Sequence, residues 1–145
     1  MRFHGRDLRR GRVSVPWQVY SITAVTLGRQ PFFGDLYMAR TMIGVLREHE
    51  AMAHADTLAY VLMPDHLHWL MSLRPGRSLS AVVRSVKAIS SRRLGRRIWQ
   101  KGFYDRAVRT EDDLRDLARY IVANPLRARL VRHIGEYPHW DAIWL

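Results

Sequence analysis

The sequence contains no cysteine. That excludes disulfides and thiolate metal sites, and it suits a reducing cytoplasm. Lysine is nearly as scarce, with Lys87 and Lys101 alone, and acidic residues number 13 against 24 basic ones. No apolar run reaches the roughly 20 residues of a membrane-spanning helix. The longest, over 58–73, is broken by Asp65, His66 and His68. The N-terminus is basic but carries no apolar stretch before a cleavage motif, so no secretion signal is expected. No glycine-rich motif for cradling nucleotide phosphates is present.

What the chain does have is apolar bulk and positive charge. Its 145 residues suit one domain, and 48% hydrophobic content suits a globular core. The formal net charge is +11, almost all of it arginine. Such an excess attracts polyanions, and arginine's planar fork grips phosphate through two hydrogen bonds. Nucleic acid is the expected partner and no membrane is expected.

Residues 1–16 hold Arg2, Arg6, Arg9, Arg10 and Arg12 with little apolar content, and read as a basic N-terminal arm. The catalytic domain is then expected over 17–145. WQVYSITAVTL (17–27) is β-branched and aromatic, so it reads as a strand. After the turn-rich GRQPFFGD, Asp35 is placed to cap a helix in which Leu36, Ala39, Ile43 and Leu46 recur at helical spacing. Strands are expected over 57–63 and 66–73, joined as a hairpin by Pro64 and Asp65. A basic helix over 79–94 turns Leu79, Val82, Val83, Val86 and Ile89 inward. The stretch 98–110 reads as a short strand or irregular chain. Acids open a helix over 111–124, with Leu114, Leu117, Ala118 and Ile121 as its stripe, and Pro125 ends or kinks it. One or two further turns and an aromatic tail follow. This order predicts an α+β fold, a ferredoxin-like antiparallel sheet with helices on one face.

His66 and His68 are two apart on a predicted strand, so both imidazoles leave the same face. Leu67, Trp69, Met71 and Leu73 take the other face and suit a core. Paired imidazoles chelate divalent ions, yet two surface histidines on an open sheet fit the same pattern. Tyr120 and Asn124 are four apart on the last long helix and are neighbours on its surface. An amide oxygen suits a hard ion. A phenol beside a metal-bound phosphate can attack it. Packing at a helix edge and a helix end before Pro125 also account for these two residues, and spacing leaves both readings open.

The combination resembles a family. MPDHLHWLMSL is similar to the His-x-His core of the single-tyrosine HUH transposases. GFYDRAVRTEDDLRDLARYIVANPLRARLV resembles the second signature block of that superfamily, in its branch of REP-associated tyrosine transposases. VTLGRQPFFGD resembles that branch's opening strand and loop. The resemblance runs over about residues 17 to 138, in the right order. It implies the HUH transposase fold, with His66 and His68 as metal ligands, Asn124 as the third, and Tyr120 as the nucleophile. It implies a divalent metal, Mg²⁺ or Mn²⁺, and a strand cut that leaves a 5′-phosphotyrosine link. The implied substrate is single-stranded and hairpin DNA of REP-like repeats, placing the protein at the nucleoid.

Asp65 stands where relatives often have Asn or Glu and is assigned no chemistry. Tyr104 reads as a packing residue and is the second candidate nucleophile. Arg84, Lys87, Arg92, Arg93, Arg96 and Arg97, on the basic helix and the turn after it, are candidates for gripping hairpin phosphates. Trp69, Trp99, Trp140 and Trp144 read as core residues or base platforms. A monomer is expected, with a dimer of composite sites as the alternative. The competing functions are a module that binds single-stranded nucleic acid without cutting it, and a replication-type HUH nickase.

Overall fold

The structure is a computed structural model that describes residues 17–143. The expected basic arm over 1–16, and Trp144, lie outside the described residues. The chain runs β1 (Val19–Val25), α1 (Leu36–Ala51), β2 (Ala55–Met63), β3 (His66–Leu73), α2 (Leu79–Leu94) and β4 (Tyr104–Val108). After these come α3 (Glu111–Val122), α4 (Asn124–Arg127) and β5 (Trp140–Ala142). The strands form one antiparallel sheet in the order β4-β1-β3-β2-β5. The first four strands have the ferredoxin-like arrangement expected from the sequence, and β5 extends it along β2.

Local chemistry sets the helix starts. The Asp35 side chain accepts from Met38 N at 2.9 Å, Ser78 from Ala81 N at 3.1 Å and Thr110 from Asp113 N at 3.1 Å. Each such cap contributes about 1 kcal/mol. Gly95, at φ 73°, ends α2 in a left-handed turn that other side chains rarely adopt.

Alternation divides the sheet into two faces. Tyr20, Ile22 and Ala24 of β1 join Leu67, Trp69, Met71 and Leu73 of β3 under α1 and α2. From the helices come Ala39, Met42, Ile43, Val45 and Leu46, then Leu79, Val82, Val83 and Val86, so the inward stripe of α2 is as expected. Leu36 is exposed, because it lies beside the cap at the helix's first turn. Buried His49 ties the two helices through Nε2 and Ser85 Oγ, 2.8 Å apart.

The third helix lies on the opposite face. Ala118, Ile121 and Val122 of α3 pack with Ala59, Val61, Met63 and Leu70, which alternate away from α1 and α2. Burying the α3 stripe there covers apolar sheet surface that solvent would otherwise meet. Helix α3 stops at Val122, and Asn124 opens α4 with Pro125 in its first turn. The aromatic tail is structured: β5 pairs Trp140 with Val61, and the Tyr137 hydroxyl donates to Leu62 O at 2.6 Å.

Candidate active site

The two-residue turn Pro64–Asp65 fixes where β3 begins, since Met63 pairs with His66. The loop after β1 clamps that turn. Thr26 N donates to Asp65 O at 3.0 Å and Phe33 N donates to Pro64 O at 3.0 Å. The fully buried Thr26 hydroxyl lies 2.8 Å from Gln30 O and 3.0 Å from Asp65 O. From that fixed start, alternation sends His66, His68 and Leu70 to the face that α3 covers. The His66 and His68 rings stand edge to face with centroids 4.7 Å apart.

Each imidazole is held by its Nδ1. His66 Nδ1 donates to Asp65 Oδ1 at 2.7 Å, and His68 Nδ1 lies 3.1 Å from Thr23 Oγ1. Neither Nε2 has a hydrogen bond among the described residues. Burial, then the neighbouring charges of His66 and Arg127, lower the His68 pKa to about 4. The ring is therefore neutral at physiological pH, as a metal ligand must be. Burial pushes the Asp65 carboxyl up, but the His66 hydrogen bond and the charges of His66 and Arg29 outweigh it and hold the pKa below its ordinary value. Arg29 Nη2 sits 3.2 Å from Asp65 Oδ2. Asp65, without a role in the sequence reading, thus orients His66 as carboxylates orient metal-binding histidines. Its position directly before the first histidine, in a tight turn, was the available signal. Thr23 had none short of strand register, which pairs it with His68.

Tyr120 projects from α3 on this same side of the sheet and is 59% exposed. The Arg127 guanidinium lies over its ring, 3.6 Å from the centroid. The charge of Arg127 is also felt at His68. Asn124 is half-buried and is one helical turn beyond Tyr120. Two neutral-capable imidazoles with open Nε2 atoms are nitrogen donors of the type that fits a divalent ion, and the amide oxygen of Asn124, on the helices covering this face, is of the type that would complete the set.

Tyr104 is not a packing residue. It is 42% exposed, because its register opposite Thr23 turns it to the histidine face. With Thr23, Val25, Lys101 and Gly102 it lines a cleft of about 220 Å³.

The proposed phosphate-gripping residues lie elsewhere. Helix α2 covers the face away from the histidines. Lys87 Nζ donates to Gln100 O at 2.8 Å and to Gly102 O, bracing the loop before β4. Arg93 makes a two-pronged pair with Glu48, and Arg96 lies 4.6 Å over the Phe32 ring. Arg84, Arg92 and Arg97 are exposed. Trp69 and Trp99 are buried, with their indole N–H groups donating to Thr57 Oγ1 and Ser90 Oγ, each at 2.9 Å. Half-buried Trp140 donates to Ile134 O at 3.0 Å. These three are packing residues. No described helix is long and apolar enough to cross a membrane.

A family model described as "Transposase IS200 like" matches residues 15–124. A REP-associated tyrosine transposase of Escherichia coli K12 is 30% identical over 82 residues, which are 55% of this chain and 50% of that protein. A Haemophilus influenzae protein of the same description is 26% identical over 100 residues, covering 58% of this chain and 57% of its own. The chain spans about half the length of the curated relatives it matches. A solved REP-associated tyrosine transposase bound to a REP hairpin superposes with a TM-score of 0.74 at 25% identity, over 89% of this chain and 79% of that one. A transposase-like structure from Deinococcus radiodurans shares the fold, with a TM-score of 0.56 at 22% identity, over 77% of this chain and 93% of that one. The chain belongs to the IS200-like transposase family, where its relatives are REP-associated tyrosine transposases.

Proposed function

We propose that this chain is a DNA strand-nicking and strand-joining enzyme that acts on hairpin DNA with a single-stranded flank, through a covalent link to Tyr120. The observation that carries the reading is the placement of Tyr120 on the same sheet face as a histidine pair whose Nδ1 atoms are anchored and whose Nε2 atoms are open. A hairpin substrate is supported by the neighbour that binds a REP hairpin.

His66 and His68 through Nε2, with the Asn124 amide oxygen, are the residues that would hold a divalent ion. Bound there, the ion supplies positive charge beside a scissile phosphate. Two nitrogen donors suit Mn²⁺ better than Mg²⁺, which prefers oxygen. Asp65, a pure acceptor, fixes the tautomer of His66, and Thr23 holds the orientation of the His68 ring. The Tyr120 oxygen attacks the phosphorus as the bond to the 3′ oxygen breaks. The phenol proton passes to solvent, and the leaving oxygen takes one up. Because the new 5′-phosphotyrosine bond conserves the phosphodiester, a second 3′-hydroxyl can reverse the step and join strands. The cut is read as falling in a single-stranded stretch, where the scissile phosphate is free to meet the Tyr120 oxygen. Exposed Arg84, Arg92 and Arg97, with Arg96 at the end of α2, offer phosphate contacts on the far face.

The test is a labelled hairpin oligonucleotide incubated with Mn²⁺ and resolved under denaturing conditions. A protein–DNA adduct is expected from the wild type and from Tyr104→Phe, and none from Tyr120→Phe, which still binds the hairpin. Hairpin binding by the wild type without an adduct under any metal points instead to a non-cutting module. An adduct that persists in Tyr120→Phe and disappears in Tyr104→Phe moves the nucleophile to β4.

A further inference from the structure

A phosphodiester under attack by a phenol gains negative charge, and positive charge near it is worth most where no carboxylate already neutralises it. The cations beside His66 and along the helices that carry Tyr120 differ in this respect. Arg29, beside His66, is held by Asp65 at 3.2 Å. Arg115 lies 3.7 Å from Glu111, and Arg119, next to Tyr120, lies 3.6 Å from Asp116. Arg127 has no carboxylate partner among the described residues. Its guanidinium carbon is instead 3.6 Å from the centre of the Tyr120 ring.

The helix pair explains that position. Tyr120, Asn124 and Arg127 are spaced i, i+4 and i+7, which is one row along a helical surface. Ala123, at φ −77° and ψ 0°, departs from helical ψ by about 40°, yet the row survives the break, because Arg127 still reaches the Tyr120 ring. Arg127 therefore stands beyond Asn124 on the side of the nucleophile, and its charge is felt at His68. A guanidinium lying over a ring touches it through its flat face and keeps its N–H edge for other partners. That edge matches two non-bridging oxygens of a phosphate.

We propose that Arg127 is a further catalytic residue, which grips the scissile phosphate through its N–H edge while its face, stacked on the Tyr120 ring, aims the phenol at the phosphorus. The proposal rests on Tyr120 being the nucleophile. The step is a displacement: the Tyr120 O–P bond forms, the P–O3′ bond breaks, and no oxidant or reductant takes part. Lysine at this position would keep the charge but lose both the flat contact and the two-pronged grip.

The experiment is single-turnover adduct formation on a hairpin oligonucleotide with Mn²⁺, using a normal phosphate and, separately, a methylphosphonate at the cut site. Arg127→Ala is expected to slow adduct formation on the normal substrate about 100-fold or more, the order seen when one preorganised donor to a transition state is removed. Arg127→Lys is expected to fall between the alanine variant and the wild type. Hairpin affinity and the thermal midpoint should stay near wild type, because Arg127 is exposed. On the methylphosphonate, which lacks the charged oxygen, the gap between wild type and Arg127→Ala should shrink at least tenfold. An alanine variant as fast as wild type on the normal substrate overturns the proposal. So does an equal loss on both substrates, which would mean that Arg127 only supports α4. If the wild type itself gives no adduct, the nicking reading fails and takes this inference with it.

Discussion

Asp65 and His66 are neighbours in sequence, and their side chains join across a tight turn: Nδ1 of the imidazole donates to the carboxylate at 2.7 Å. The bond settles the tautomer of His66. With its proton on Nδ1, the Nε2 lone pair is committed outward, and the ring cannot flip without losing a charge-assisted contact. Arg29 holds the second carboxylate oxygen at 3.2 Å, so the orienting group is itself oriented.

Removing the carboxylate should therefore weaken metal binding more than folding. Asp65→Ala is expected to lower Mn²⁺ affinity about 10- to 100-fold, the range for groups that orient metal-binding histidines. Calorimetric titration of wild type and variant checks it, with His66→Ala as the reference for complete loss of that ligand. Equal Mn²⁺ affinity in wild type and Asp65→Ala would leave the carboxylate with only its pair to Arg29.

Thr26 works one step further out. Its hydroxyl is wholly buried and serves the turn that launches β3 through Asp65 O and the loop through Gln30 O. Thr26→Val keeps the shape and removes the donor, leaving buried carbonyl capacity unmet. A loss of about 1–3 kcal/mol in chemical denaturation is expected. Mn²⁺ affinity should fall as well, since the start of β3 is then less firmly fixed. A variant as stable as wild type would show that the Thr26 backbone bond to Asp65 O suffices alone.

Much of this site was legible in the sequence because local periodicity governs it. The alternation of HLHWLMSL fixes which side chains share a face, and the structure keeps that division, with Leu67 and Trp69 in one core and Leu70 in the other. The caps at Asp35, Ser78 and Thr110 are equally local. What periodicity cannot convey is which face of a sheet a distant helix will choose. The stripe of α3 was visible, but its destination on Val61 and Leu70 depends on sheet order. Tyr104 was misjudged for the same reason: its exposure follows from strand register with Thr23, 81 residues earlier in the chain. β5 went unseen because three residues pairing with an edge strand leave no periodic trace.

The opposite face makes its own prediction about charge. Arg93 is paired with Glu48 through both prongs of its guanidinium, whereas Arg92 and Arg97 are exposed and have no carboxylate partner among the described residues. If this end of α2 meets hairpin phosphates, Arg92→Ala and Arg97→Ala should each weaken hairpin binding, and each should reduce the salt slope by about one unit. Arg93→Ala should change it less. Glu48→Gln, which releases Arg93, should strengthen binding at low salt. Filter-binding or anisotropy titrations over a range of salt concentrations measure all four, and unchanged slopes in the Arg92 and Arg97 variants would remove α2 from the DNA interface.

Alkaline stability tests the tail. Burial raises the Tyr137 pKa to about 12, and its hydroxyl donates to Leu62 O at 2.6 Å. The folded state thus favours the neutral phenol, while in the unfolded chain the group titrates near its ordinary value of about 10. A raised folded pKa means that the contribution is fully present below pH 10 and is lost as pH rises toward 12. Tyr137→Phe removes both the hydrogen bond and the titration. At pH 8 the variant should be less stable by about 1 kcal/mol, the net worth of one hydrogen bond. Between pH 10 and 12 the wild type alone pays for a phenol that prefers to ionise when unfolded, so the difference should narrow. Denaturation curves of the two proteins at pH 8, 10 and 11 decide it. A gap that stays constant across that range would mean that the hydroxyl titrates alike in both states, and that burial does not raise its pKa in the folded protein.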